Sequence, residues 1–381
     1  MRRYVRVATL AGLAVLTVAP TACEAQQRRS REPQLPPPSI TEYEPQSTLV
    51  VPETEVPRAK FPLVDIHGHP PTLDNPENIE RVIEAMDRLN IGVMVQARPS
   101  SGARLRAQIE AVREAGYEDR FVFFASLDLN DIGPGSGAQI AAQLEEDVAA
   151  GAVGIGEISK AFGLAHRKSD GTLLEMDDPE LDIVWETAAR LDIPVFVHTA
   201  DPPEFFEPLD YTNERWLELA IFPNRRFMDQ ERFPSFDDLM GQRNRMIMKH
   251  PETTWILAHM GWHTADLGRL GEIFDAHPNV LAEVGAVLYD LGRQPRFAAA
   301  FFEKYQDRVL FGKDSFQPDE YPYFFRVFET ADEYFDYYRD YHAFWKLYGM
   351  DLSDDVLRAL YYGNARRIIP SLAGNPALPS N

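Results

Sequence analysis

From Phe61 onward, short apolar runs alternate with stretches whose apolar residues recur at helical spacing. The runs occupy 62–66, 92–96, 121–126, 152–158, 193–197, 254–258, 280–284 and 308–311. Amphipathic stretches lie between them at 77–89, 105–115, 137–150, 179–191, 236–249, 265–276 and 296–305. Strand followed by helix, repeated in this way, predicts parallel strands joined by right-handed crossovers. Eight such units close into a (β/α)₈ TIM barrel, an α/β fold. A doubly wound open sheet is the rival, weakened because no glycine-rich phosphate turn follows the first strand. Residues 321–369, rich in Tyr and Phe, read as a helical C-terminal tail packed on the outside of the barrel. Residues 371–381 read as a flexible end.

The N-terminus follows a different pattern. Arg2, Arg3 and Arg6 precede an apolar run at 8–19, too short to span a bilayer comfortably, and then Thr21-Ala22-Cys23. That layout over 1–23 predicts an export signal. The position of the lone cysteine resembles a bacterial lipoprotein signal, with Cys23 the lipid-bearing first residue of a periplasmic or cell-surface protein. Cleavage after Ala22 or Ala25 and free secretion is the alternative. Residues 24–60, with Pro33, Pro36, Pro37 and Pro38 and no apolar period, read as a disordered linker. The barrel domain is thus expected over 61–370.

Composition changes the picture in two respects. The chain has 381 residues, 38 Lys+Arg against 59 Asp+Glu, and a formal charge of −21. Without a basic patch, such a surface repels nucleic acid and anionic membranes. One cysteine excludes internal disulfides and a cysteine-based zinc site. A small-molecule substrate is the partner these facts leave; self-association into a homo-oligomer stays open.

Four of the nine histidines close candidate strands. His67 and His69 end the first in Val-Asp-Ile-His-Gly-His, His198 ends the fifth in Val-Phe-Val-His-Thr, and His259 ends the sixth in Ile-Leu-Ala-His-Met-Gly. Asp314 follows the eighth in Leu-Phe-Gly-Lys-Asp-Ser. In a barrel, all these positions lie on the face where active sites form. His67 and His69, two residues apart, share one side of a strand and can grip one ion. Imidazoles with a carboxylate suit a divalent ion, Zn²⁺ first, with Mn²⁺ or a similar ion as the alternative. Each histidine alone also reads as a hydrogen-bonded core residue, but five polar residues each closing an apolar run are hard to obtain by accident. Of the others, His166 falls in a loop, His250 and His277 end helices, His342 lies among tail aromatics, and His263 reads as a solvated helix start.

These motifs, with the late Tyr-Gly-Asn-Ala-Arg-Arg at 362–367, resemble the amidohydrolase superfamily. The similarity is to its amidohydrolase-2 branch, which includes the aminocarboxymuconate-semialdehyde decarboxylase type, and it runs from 61 to 369. The resemblance implies that His67, His69, His198 and Asp314 bind a catalytic divalent metal, and that His259 binds a second ion or acts on substrate. It also implies a bridging carboxylate or carboxylated lysine on the fourth strand, where the chain reads Gly-Ile-Gly-Glu157-Ile-Ser-Lys160. Their odd separation puts the two residues on opposite faces of a regular strand. A glutamate inside an apolar run needs a cation partner, which makes Glu157 either a ligand or a salt-bridged neighbour. Lys160 is expected at the mouth, facing an anionic substrate group, while the charge of Lys313 should point away from the ion.

A divalent ion in such a site brings the pKa of water towards ~7. Asp314 would then serve as general base and His259 would stabilise the oxyanion, giving hydrolysis of an amide, ester or lactone. The alternative is non-oxidative decarboxylation of an aromatic or unsaturated acid; a third reading is a non-catalytic, surface-tethered binding protein. The long connection at 200–235 reads as a lid, with Phe205 and Tyr211 walling the pocket. Arg98 after the second strand is expected to bind a carboxylate, and Trp262 after the sixth to stack on a flat substrate.

Overall fold

A computed structural model describes residues 35, 36 and 38–379. The export signal read over 1–23, Cys23 included, lies outside these residues, as does all of 24–34. Contacts divide the chain into two compact units at Leu49 and Val50. The described part of the first, up to Leu49, is exposed and carries no helix or strand.

The second unit is the (β/α)₈ TIM barrel. Its strands are β1 (Leu63–Gly68), β2 (Ile91–Gln96), β3 (Phe121–Ala125), β4 (Ala152–Ile158), β5 (Val195–Val197), β6 (Trp255–Leu257), β7 (Val280–Glu283) and β8 (Val309–Leu310). They form one sheet in sequence order, each pair parallel. Two backbone bonds stitch the ends together: Ile66 N–H donates to Phe311 O (3.0 Å) and Asp314 N–H to His67 O (3.0 Å). The strands are buried on both faces, which is why they read as continuous apolar runs.

Local chemistry explains the helices between them. Helix Pro76–Leu89 starts where the Asn75 side chain caps Asn78 N–H, with proline at its first position. It buries Ile79, Val82, Ile83, Met86 and Leu89 at three- and four-residue spacing. Helix Phe236–Lys249 opens on a reciprocal Ser235–Asp238 capping box. Among the described residues, no helix is long and apolar enough to cross a membrane.

Three expectations about segments change. The tail is helical only at Tyr321–Glu329, Asp354–Arg358 and Asn364–Ile368, with a π-helical turn at Ala359–Gly363. Residues 330–353 are irregular, joined by a two-way backbone bridge between Phe335 and Leu347. Close packing sets their path: a Cβ at Gly349 would lie 2.0 Å from Thr330 O. The end of the linker packs rather than floats. Thr54 donates to Asp332 through N–H (2.8 Å) and Oγ1 (2.7 Å), Ala59 is buried, and Lys60 pairs with Asp354 at 2.6 Å. Likewise the C-terminal end is docked, with Leu372 and Leu378 buried and the Asn375 amide donating to Asp119 O (2.9 Å).

Candidate metal centre

The C-terminal ends of β1, β4, β5, β6 and β8 bring His67, His69, Glu157, His198, His259 and Asp314 together. Glu157 sits between two groups of imidazoles. Its Oε2 lies 3.2 Å from His67 Nε2 and 3.1 Å from His69 Nε2, and its Oε1 lies 2.7 Å from His198 Nδ1. Asp314 completes the first group, its Oδ1 3.7 Å from His67 Nε2 and 3.8 Å from His69 Nε2. Two sets of donors with metal-ligand proximity therefore share Glu157: His67 with His69, and His198 with His259. The side chain of Asp314 is 36% exposed, so this flank opens towards solvent.

Hydrogen bonds decide which nitrogen of two rings is free. His67 Nδ1 faces Glu283 Oε1 at 2.9 Å and donates to it, so Nε2 is the nitrogen turned towards Glu157 and Asp314. His259 Nδ1 lies 2.8 Å from the Gly285 carbonyl, which can only accept, so its Nε2 carries a lone pair. His67 Nε2 and His198 Nε2 are buried and without a hydrogen-bond partner. The orphaned His67 Nε2 beside the Glu157 and Asp314 oxygens, with His69 Nε2 and His198 Nδ1 on the same Glu157 carboxylate, is the donor set of a divalent cation, and the residues present fit one.

The electrostatics agree. Burial lowers the His67 pKa, but Glu157 and Glu283 outweigh it and hold the ring well above its usual value of 6.5. Burial raises Glu157, and the histidines, His67 first, more than reverse this and bring it well below the carboxylate range. Asp314 is lowered in the same way by His67 and His259 against the effect of burial. Burial, reinforced by His198, takes His259 down to about 4, so its ring is neutral at pH 7.

The residues expected to touch substrate distribute differently. Trp262 is buried beside the centre, stacked on His259 (4.4 Å, 29°), with Nε1 donating to Ala200 O (3.2 Å). Lys160 does not present a free charge; it pairs with Asp201 at 2.5 Å. Arg98 is likewise engaged, its guanidinium donating to the carbonyls of His69 (3.0 Å) and Pro70 (2.5 Å), so it braces the loop after β1. Phe205 packs inward beneath the Arg215 guanidinium, 5.5 Å from its ring. Tyr211 is 96% exposed and does not wall the site. His263 is buried beside Arg243 (3.2 Å) rather than solvated, its pKa brought to about 3 first by burial and then by that cation. Lys313 does turn away, reaching Glu320 at 2.5 Å.

Two buried carboxylates escaped the sequence reading. Asp65 accepts from Tyr321 OH (2.6 Å), His67 N–H (3.0 Å) and Lys313 N–H (3.2 Å). Glu283 ends β7 and holds His67. Its signal was available, since it closes an apolar run as Asp314 does.

Fold and site together define a barrel enzyme with histidine and carboxylate metal donors at its C-terminal face. The chain belongs to the amidohydrolase family, whose amidohydrolase-2 model matches residues 64–370. Among curated protein sequences, none matches this chain. Among the solved structures similar to this chain are three decarboxylases. A dihydroxybenzoic acid decarboxylase from Polaromonas sp. JS666, with bound manganese and the inhibitor 2-nitroresorcinol, is 17% identical (TM-score 0.50), with 82% of this chain and 98% of that one covered. A 2,6-dihydroxybenzoate decarboxylase complexed with 2,6-dihydroxybenzoate is 18% identical (TM-score 0.47; 81% and 99% covered). A 5-carboxyvanillate decarboxylase from Sphingomonas paucimobilis is 17% identical (TM-score 0.43; 76% and 82% covered).

Proposed function

We propose that this chain is a metal-dependent enzyme that breaks a bond next to the carbonyl or carboxylate of a small organic molecule. The observation that carries this reading is the orphaned His67 Nε2, gathered with His69 Nε2 and His198 Nδ1 around Glu157, with Asp314 at the open flank. His67, His69, His198, Glu157 and Asp314 would hold the divalent ion, with His259 Nε2 as a further donor; Zn²⁺ and Mn²⁺ both suit this set. Such an ion supplies Lewis acidity at a bound oxygen.

The chain's own groups then define two reactions. Decarboxylation is the reaction named for the manganese-bound Polaromonas structure above, and non-oxidative decarboxylation of an aromatic or unsaturated acid stands at least level with hydrolysis. In it the ion's ligands orient the acid, CO₂ leaves, and a protein acid returns a proton to carbon. His259 does not suit that last role at neutral pH, because its Nδ1–H is held by Gly285 O and its ring is neutral. Asp314, lowered below its usual value and partly open to solvent, would take a proton from solvent or substrate before passing it to carbon. Hydrolysis is favoured by a different feature: Glu157 points one oxygen at each imidazole group, as a carboxylate bridging two ions does. There the ionised Asp314 accepts the proton of the attacking water and passes it to the leaving group. In either case Trp262, stacked on His259, offers a flat apolar wall. The basic and apolar opening of the chain supports export of the enzyme.

Metal quantification on the purified full chain tests the reading, followed by incubation with aromatic acids, esters and lactones while CO₂ and released acid are both measured. One or two equivalents of divalent ion, and turnover lost in His67→Ala, are expected. CO₂ release assigns the lyase and acid release the hydrolase. Absence of bound ion after growth in Zn²⁺- and Mn²⁺-supplemented medium would overturn the proposal.

A further inference from the structure

We infer that Glu283 is the positioning residue of this centre, setting the His67 imidazole and the His259 backbone in one grip. The inference rests on the metal-site reading above and adds a residue that the sequence motifs did not mark. Glu283 ends β7, is fully buried, and uses both oxygens. Oε1 lies 2.9 Å from His67 Nδ1 and accepts from His259 N–H at 2.7 Å; Oε2 accepts from Gly285 N–H at 2.5 Å. It therefore joins β1 to β6, two strands that are not neighbours in the sheet.

Each contact has a consequence for the donors. A carboxylate at Nδ1 requires the hydrogen there, and that fixes Nε2 as the nitrogen aimed at Glu157 and Asp314, the one an ion would take. The bond to His259 N–H anchors the start of an unusual turn. His259, Met260, Gly261 and Trp262 all have left-handed backbone, with φ of 57°, 53°, 60° and 56°. Such a conformation is strained for each non-glycine residue and persists only where surroundings hold it. Glu283 holds its first N–H, Gly285 O holds the His259 ring, and Arg243 donates to Gly261 O at 3.1 Å.

Glu283 is close enough to the rings to be taken for a ligand itself. Its hydrogen bonds argue otherwise, since each oxygen already accepts a backbone N–H. The surrounding chain also makes room for it. A Cβ at Gly312 would lie 2.3 Å from Glu283 Oε2 and one at Gly285 2.7 Å from it, so glycine at both positions is what lets this carboxylate fit. This accounts for the glycine in the Phe-Gly-Lys-Asp run before Asp314.

The test measures Zn²⁺ affinity of the metal-stripped full chain by competition with a chromophoric chelator. Glu283→Gln keeps the shape but has a single acceptor oxygen, so its amide must face a backbone N–H or the His67 Nδ1–H. About 10- to 100-fold weaker binding is expected. Tyr361→Phe serves as control: it removes a buried hydrogen bond to Glu329 (2.7 Å) away from the centre and should bind Zn²⁺ within about twofold of the parent. If Glu283→Gln does not fold, Glu283→Asp, too short to reach all three partners, should show the same loss. Native affinity in the folded Glu283 variant, or an equal loss in Tyr361→Phe, would overturn the assignment. A parent chain that binds no Zn²⁺ would instead refute the metal-site reading itself.

Discussion

Glu157→Gln is the most informative single change at the centre. The carboxylate contacts three imidazoles at 3.2, 3.1 and 2.7 Å, and its side chain is only 13% exposed. Glutamine preserves its volume but removes the negative charge and turns one oxygen into a donor. One of the two imidazole groups therefore loses its anionic neighbour, whichever way the amide is turned. Removing one partner from a buried ionic cluster costs ~3–5 kcal/mol. Applied to the ion-bound state, that is about 10²- to 10⁴-fold in dissociation constant. The assay is metal content after dialysis against a graded series of chelator, with thermal unfolding of loaded and stripped protein in parallel. A drop from two equivalents to one is expected if Glu157 bridges, and a uniform loss of affinity if it serves one ion. Unchanged content and unchanged affinity would refute the placement of Glu157 between the imidazoles.

Two further outcomes follow from the electrostatics. In the metal-stripped protein, His67 has a folded pKa above 6.5, so its contribution is present below that value and lost as pH rises through the raised one. Glu157 and Glu283 are lowered below 4.5, so theirs is present above 4.5 and lost as pH falls. His259 and His263, lowered to about 4 and about 3, add stability that is present above 6.5 and lost as pH falls below it, so the stripped chain should be most stable near pH 6.5. The stabilisation added by metal should instead grow with pH, because ligands bind deprotonated; urea unfolding with and without chelator checks both. Far from the centre, Glu218→Gln leaves the buried Arg215 guanidinium, which Glu218 engages through both Nε and Nη2, without its carboxylate. A loss of ~3–5 kcal/mol in denaturant unfolding is expected, and a loss below ~1 kcal/mol would show that the pair is dispensable.

Much of the barrel was legible because its strands are buried on both faces and its helices on one, and those two burial patterns leave different periods in the chain. The donors were legible for a related reason: a polar residue at the end of an apolar run stands out. Glu283 carries the same mark and was passed over, since β7 lacks a histidine to draw attention. The substrate-facing residues were not legible. Whether Arg98 or Lys160 offers a free charge depends on partners outside its own strand: the backbone of the β1 loop for one and Asp201 after β5 for the other. Aromatic content marked 200–235 as a lid but could not separate Phe205, turned inward, from Tyr211, turned to solvent. The tail misled for the opposite reason. Between 330 and 353, an antiparallel bridge between Phe335 and Leu347 sets the path of the segment, so its Tyr and Phe pack without forming helix.

The stitch that closes the barrel runs through the centre itself. Asp314 N–H donates to His67 O, so the first and last donors to be synthesised are joined by the bond that turns an open sheet into a ring. The donors are thus spread from residue 67 to residue 314, and no partial chain ending at β7 contains the set. Formation of the centre is a late, non-local event, of the kind that topology makes slow. Ion uptake then reports completion of the ring, and a chain emerging in order from its N-terminus offers only scattered histidines until its last strand has docked.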